Sequence, residues 1–127
     1  MTWHVCADTK REFVEVVYSG HISGDDVAAA AVERIRAQNE LGYTRALVDG
    51  SRIEQGSLDA FDAYQLPTNV YPTNPSPPHT QMAMILPPKR PERTIAHFIE
   101  TASINRGWDV RAFDTREEAL EWLCGGT

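Results

Sequence analysis

Short apolar segments alternate with amphipathic helical segments along most of this chain. Residues 2–8 and 13–18 have the alternating, β-branched and aromatic composition of strands, and the polar DTKRE between them predicts a β-hairpin. Further apolar runs at 45–49, 81–86 and 108–113 are each followed by a segment with helical periodicity. Strands joined through helices pair in parallel, so the pattern predicts an α/β fold in the order ββαβαβαβα with a mixed sheet of about five strands.

Size and charge limit the classes of protein that the chain can belong to. With 127 residues, 42% hydrophobic and 24% charged, a single domain over residues 1–127 is expected. Twelve basic and eighteen acidic residues give a net charge of −6, which repels phosphate backbones, so we expect no nucleic-acid partner. No apolar run approaches the roughly 20 residues of a bilayer-spanning helix, so we expect no integral membrane association. No secretory leader is recognisable, and we expect a cytoplasmic protein.

Capping residues mark the boundaries of four predicted helices. The helices are predicted to begin at Ser23, Ser57, Pro91 and Thr115, and to end at Gly42, before Pro67, near residues 105–107 and at Gly125-Gly126. In the first helix a stripe of apolar residues is predicted to face the core, and the charged side chains are expected to face solvent. The stripe consists of Val27, Ala31 and Ile35, and the expected solvent face consists of Glu33, Arg34 and Arg36.

The segment from Pro67 to His79 contains five of the eight prolines and is predicted to be a long loop. Aromatic and apolar residues lead into it, among them Tyr64, Leu66 and Tyr71. They are candidates to line a pocket for an apolar small ligand or a contact with a second subunit. The alternative is that they cover the core beneath the loop.

Three sequence segments resemble the STAS / SpoIIAA-like superfamily. They are YSGHIS, LVDGSRIEQGSLDAF and RAFDTREEALEWL, and the last is similar to small bacterial SpoIIAA-like proteins. The resemblance implies a SpoIIAA-like fold, which is related to CRAL-TRIO lipid-binding domains. In the anti-sigma-factor antagonists of this superfamily a serine at the start of the helix after the central strand is phosphorylated. Ser57 is the matching position and Ser51 the alternative, in a segment that reads EQGSLDA where the antagonists have a DSSG-like sequence.

Polar residues offer two further candidate sites. Asp49 and Ser51 follow the third strand, where α/β sheets commonly bind ligands, although Asp49-Gly50-Ser51 is also typical of a turn. A basic group at the predicted start of the third helix could bind an anion or form a solvated patch. That group consists of Lys89, Arg90 and Arg93. The two cysteines, Cys6 and Cys124, lack metal-ligand spacing, and no metal or cofactor is expected.

Together these observations predict a non-enzymatic binding or regulatory module. It is expected to act through a protein partner, a homo-oligomer or an apolar small ligand, with Asp49, Ser51, Tyr64, Leu66 and Tyr71 as candidate ligand-binding residues. Two alternatives remain open. One is a phospho-regulated switch that uses Ser57, and the other is a small enzyme that uses Asp49 or a histidine. No catalytic residue is assigned.

Overall fold

The computed structural model of the protein describes residues 2–125. It contains a five-stranded mixed sheet with helices on both faces. The strands are β1 (Trp3–Asp8), β2 (Phe13–Ile22), β3 (Arg45–Gly56), β4 (Gln81–Ile85) and β5 (Asp109–Phe113), in the spatial order β1-β2-β3-β4-β5. The helices are α1 (Gly24–Leu41), α2 (Ala60–Gln65), α3 (Tyr71–Thr73), α4 (Arg90–Asn105) and α5 (Arg116–Cys124). β1 is antiparallel to β2 and all other neighbours are parallel, so the predicted α/β class and edge hairpin are confirmed.

The strand order explains how the helices divide between the two faces. From β2 to β5, each parallel strand lies beside the previous one, always on the same side of it. Because parallel crossovers are almost always right-handed, the connecting helices α1 to α4 then lie on one face of the sheet. The last helix, α5, covers the other face. Side-chain alternation follows this division, because Ala46 and Met82 pack towards α1 and α4, whereas Leu47 and Ala83 pack against α5.

The predicted turn at Asp49-Gly50-Ser51 is wrong, because β3 continues through it to Gly56. The reason is the neighbouring strand. β2 extends to Ile22 and supplies backbone partners to the second half of β3, with two irregularities in the register. Pairing with β2 provides hydrogen-bond partners for the backbone N–H and C=O groups of this segment, which in a turn would have to be found locally.

Gly50 lies in a tightly packed part of β3, and this predicts a loss of stability on substitution. A Cβ atom at this position would lie 2.8 Å from the backbone carbonyl oxygen of Ile85. We expect Gly50→Ala to lower the free energy of unfolding by about 1–2 kcal/mol in urea denaturation, because a backbone atom must move. Gly56→Ala is the matched control: its nearest contact is the flexible Glu92 side chain at 3.4 Å, and we expect almost no change. Equal stabilities of the two variants would contradict the prediction.

The second helix begins later than predicted, because Asp59 and not Ser57 is its N-cap. Asp59 accepts a hydrogen bond from the Asp62 backbone N–H (2.9 Å), and Asp62 accepts one from the Asp59 N–H (3.1 Å). Ser57 is still tied to the sheet, since its backbone N–H donates to the Ile22 carbonyl oxygen at 2.8 Å. The capping role predicted for Ser57 is therefore wrong, and the serine is exposed at the end of β3.

The predicted loop from Pro67 to His79 is also wrong in its first half. The chain continues from α2 through a π-helical turn (Leu66–Val70) into α3. Pro67 lies at the start of the π-helical turn, and this wider turn accommodates a residue that cannot donate a backbone hydrogen bond. The result is one bent helical segment, which turns Leu66 and Tyr71 towards the core.

The remaining predicted helix boundaries agree closely with the structure. Ser23 and Asp26 form a capping box at the start of α1, Gly42 ends that helix in the left-handed conformation, Thr115 caps α5 and Gly125 ends it. Gly126, predicted to share in that last boundary, lies outside the described residues.

Candidate functional site

A cavity of about 330 Å³ lies between the sheet and the helices α1, α3 and α4, and Leu66 of the π-helical turn also lines it. Its walls are mostly apolar and include Val16, Val48, Met84, Ala31, Ala96 and Ile99. Ala31 of α1 and Ala96 of α4 are buried and line the cavity with small side chains. Interiors are normally packed with few voids larger than water, so a space of this size marks a candidate binding site.

The cavity opens at the carboxyl ends of β3 and β4. Leu58, which follows β3, and Pro91 and Glu92, at the start of α4, line it and are partly or fully exposed. Ligands commonly enter open α/β sheets at this edge. Glu92 is therefore a negatively charged group at the mouth.

The inner wall of the cavity contains a buried arginine and two buried tyrosines. Arg34 is only 4% exposed, and its guanidinium lies 5.6 Å from the centre of the Tyr71 ring and donates to the Gln38 side-chain oxygen. Burial raises the pKa of the Tyr18 and Tyr71 hydroxyls, and the nearby Arg34 charge opposes that rise. Both hydroxyls therefore stay protonated at neutral pH. Across residues 2–125, Arg34 forms no ion pair with a carboxylate.

A second, polar pocket of about 530 Å³ lies on the α5 face of the sheet. Arg116 donates to both carboxylate oxygens of Glu15, at 2.7 and 2.9 Å, and lies 3.5 Å from Asp49. Ser51 donates its backbone N–H (2.9 Å) and its hydroxyl (2.6 Å) to the same Asp49 oxygen. Asp49 is thus engaged mainly by Ser51 of its own strand, with a longer contact to Arg116 of α5. Within the described part of the chain, no group of three or more His, Cys, Asp or Glu residues is arranged to hold a metal ion.

The five predicted ligand-binding residues do not form one site. Leu66 and Tyr71 line the apolar cavity, whereas Asp49 and Ser51 lie across the sheet in the polar pocket. Tyr64 is 42% exposed, and its hydroxyl accepts a hydrogen bond from Arg106, whose guanidinium lies over its ring. The structure therefore brings only two of the five together.

The predicted phosphorylation and anion sites lie on exposed surfaces. Ser57 is exposed and donates its hydroxyl to the Ile22 carbonyl oxygen at 3.5 Å. Lys89 and Arg90 are exposed as well, but Arg93 pairs with Asp114 at 2.6 Å. Part of the charge of this basic group is therefore neutralised within the chain, and its anion-binding role stays a prediction.

Sequence reasoning missed Arg34, which was expected on the solvent face of α1 and is buried. That expectation is wrong because of helical geometry. Arg34 is three residues after Ala31 and seven after Val27, so it lies on the apolar stripe. The sequence therefore did contain a signal for a buried arginine, namely a charged residue at a core-facing position of the helix.

The antiparallel edge hairpin, the parallel strands beyond it and the single helix on the second face together define a SpoIIAA-like α/β domain. The family model described as SpoIIAA-like matches residues 13–124, and the chain belongs to the SpoIIAA-like family. No curated protein sequence matches it. No helix within residues 2–125 is long and apolar enough to cross a bilayer.

Two solved structures have a similar fold. An uncharacterized protein from Shewanella loihica PV-4 with a SpoIIAA-like fold is 16% identical, with a TM-score of 0.55 over 96% of this chain and 94% of that one. The anti-sigma factor antagonist SpoIIAA, in its unphosphorylated form, is 14% identical, with a TM-score of 0.56 over 97% of this chain and 98% of that one. Identities this low establish a shared fold only.

Proposed function

We propose that the protein is a non-enzymatic binding module that holds an apolar small molecule between its sheet and the helices α1, α3 and α4. The observation that supports this is the cavity of about 330 Å³ with apolar walls. An apolar molecule of matching shape supplies the dispersion contacts that the side chains around the open space lack. The polar pocket on the other face offers less, because Glu15 and Asp49 are already paired with Arg116.

The volume of the cavity indicates the size of the bound molecule. At about 30 Å³ per non-hydrogen atom, the volume that one molecule occupies in liquid water, the space accommodates roughly ten such atoms. This corresponds to a medium-length alkyl chain or a fused two-ring aromatic molecule. Naphthalene, with ten carbon atoms and no polar group, is therefore a suitable neutral probe.

We expect naphthalene to raise the melting temperature of the protein in calorimetry, and a cavity-filling variant to abolish this rise. A tenfold excess of ligand over its Kd stabilises a protein by about 1.4 kcal/mol, which raises the melting temperature by about 3–6 °C for a domain of this size. Ala31→Met places a flexible apolar side chain in the cavity, so its melting temperature should respond little to the probe.

The matched control is Ala29→Met, because Ala29 is exposed on the same helix. This variant should respond to naphthalene as the wild type does. Either of two results would overturn the proposed function: an unchanged melting temperature of the wild type, or a full naphthalene response in Ala31→Met.

Action through a protein partner, as the name of the antagonist SpoIIAA implies for that protein, remains the second candidate. The exposed hydroxyl of Ser57 is accessible to a kinase. Phosphorylation there adds a charge of about −2 at the end of β3. A mass increase of about 80 Da that survives denaturation, in protein purified from its own host, would favour this candidate.

A further inference from the structure

The charge of Arg34 distinguishes the cavity from a simple apolar void. The guanidinium has five N–H donors, and its contacts within residues 2–125 are the Gln38 side-chain oxygen and the Tyr71 side chain. A charge removed from water without an opposite charge is costly, and a guanidinium is always protonated. The inner wall therefore presents a fixed positive charge to whatever occupies the cavity.

The positions of the charged groups determine which end of a bound ligand lies innermost in the cavity. Glu92 lines the mouth, and the neighbouring Lys89 and Arg90 do not line the cavity, whereas Arg34 lines its inner wall and is buried. Tyr18 and Tyr71 add buried, protonated hydroxyls near Arg34. An anionic group is therefore favoured at the inner end, and an apolar chain between that end and the mouth.

We propose that the bound molecule is a monocarboxylic acid of medium chain length, whose carboxylate pairs with Arg34 and whose apolar chain fills the cavity. This inference rests on the proposed function. A single planar guanidinium matches the two oxygens of a carboxylate, which it can bind with two parallel hydrogen bonds. A phosphate dianion would leave more charge uncompensated among the same apolar walls.

Octanoic acid and octan-1-ol test the inference, because they share a chain and differ in the charged group. In isothermal titration calorimetry at pH 7 we expect the wild type to bind octanoate about 10- to 100-fold more tightly than the alcohol, the range of one charge-assisted contact. Arg34→Met retains much of the side-chain volume and removes the charge. It should lose the preference for the acid and bind the alcohol with an affinity close to that of the wild type.

Arg36→Met is the matched control, because Arg36 is exposed on the same helix and pairs with Glu33 and Glu40. It should keep the full preference for octanoate. Arg34→Gln, which retains hydrogen-bond donors without the charge, provides a second variant in case the Met variant folds poorly, and it too should lose the preference.

The outcomes distinguish the two proposals. Equal wild-type affinities for octanoate and octan-1-ol would overturn the anionic-ligand inference and leave the apolar cavity as a binding site. Binding of neither ligand, together with no response to naphthalene, would overturn the proposed function itself. A preference for octanoate that persists in both Arg34 variants would place the carboxylate elsewhere and also overturn the inference.

Discussion

Leu47→Ala is expected to lower the free energy of unfolding by about 3–5 kcal/mol, which is the upper range for a leucine truncated in a protein core. Leu47 is fully buried in β3 and packs in the cluster that joins the sheet to α5. Truncation removes one methine and two methyl groups from the core and leaves a void under α5. Equilibrium denaturation in urea, monitored by circular dichroism, measures the effect.

The division of the molecule into two faces makes this prediction more specific. Leu47 contacts α5, whereas the apolar cavity lies on the opposite face of the sheet. The naphthalene-induced rise in melting temperature should therefore persist in Leu47→Ala at temperatures where the variant is folded. Val32→Ala is the control for truncation alone, because Val32 is 41% exposed, and we expect it to cost less than about 1 kcal/mol. A cost for Leu47→Ala as small as that of the control would contradict the assignment of Leu47 to the core of this face.

The two ends of α1, which the local sequence fixes, were predicted correctly. The capping box at Ser23 and Asp26 satisfies the first free N–H groups of α1 whatever surrounds it, so its prediction needs no tertiary information. The same holds for Gly42, which ends the helix in a conformation that glycine adopts without strain. The order of strands and helices, and with it the fold class, follows from such local signals together with the alternation of apolar residues.

Elements that depend on distant partners were predicted less well. Asp49-Gly50-Ser51 has the composition of a turn, and only the extension of β2 to Ile22 makes this segment a strand. Pro67 is normally a helix-ending residue, yet the π-helical turn accommodates it and the chain continues to α3. In both places a tertiary or irregular arrangement overrides the preference of the local sequence.

The candidate site was predictable only in part. Leu66 and Tyr71 are on the wall of the cavity, but the cavity itself lies between strands and helices that come together only in the folded structure. Arg34 was identifiable in principle, since it lies on the apolar stripe of α1. Its burial among tyrosines could not be inferred from that position, because Tyr18 and Tyr71 come from elements distant in the sequence.

Arg116→Met is expected to lower the free energy of unfolding by about 2–3 kcal/mol, less than the roughly 3–5 kcal/mol for removing one partner of a fully buried ion pair. Arg116 is the cation that faces the carboxylates of Glu15 and Asp49, which are 9% and 8% exposed. Methionine retains the apolar stem but leaves both carboxylates unpaired. Because the Arg116 side chain is itself 44% exposed, water compensates part of the loss, and the cost stays below that of breaking a fully buried pair.

A double-mutant cycle separates the charge effect from the loss of packing. In Glu15→Gln combined with Arg116→Met, one of the unpaired carboxylates is absent, so the double variant should be more stable than Arg116→Met alone. Arg93→Met is the surface control, because its partner Asp114 is 68% exposed, and it should cost less than about 1 kcal/mol. If Arg116→Met were as mild as this control, Asp49 would not depend on the pair, and the alternative of an enzyme that uses Asp49 would gain support. If Arg116→Met instead lowers the free energy of unfolding strongly and the double variant recovers part of it, the charged residues of the polar pocket serve to stabilise the fold. The cavity beneath α1 and α4 then remains the candidate binding site.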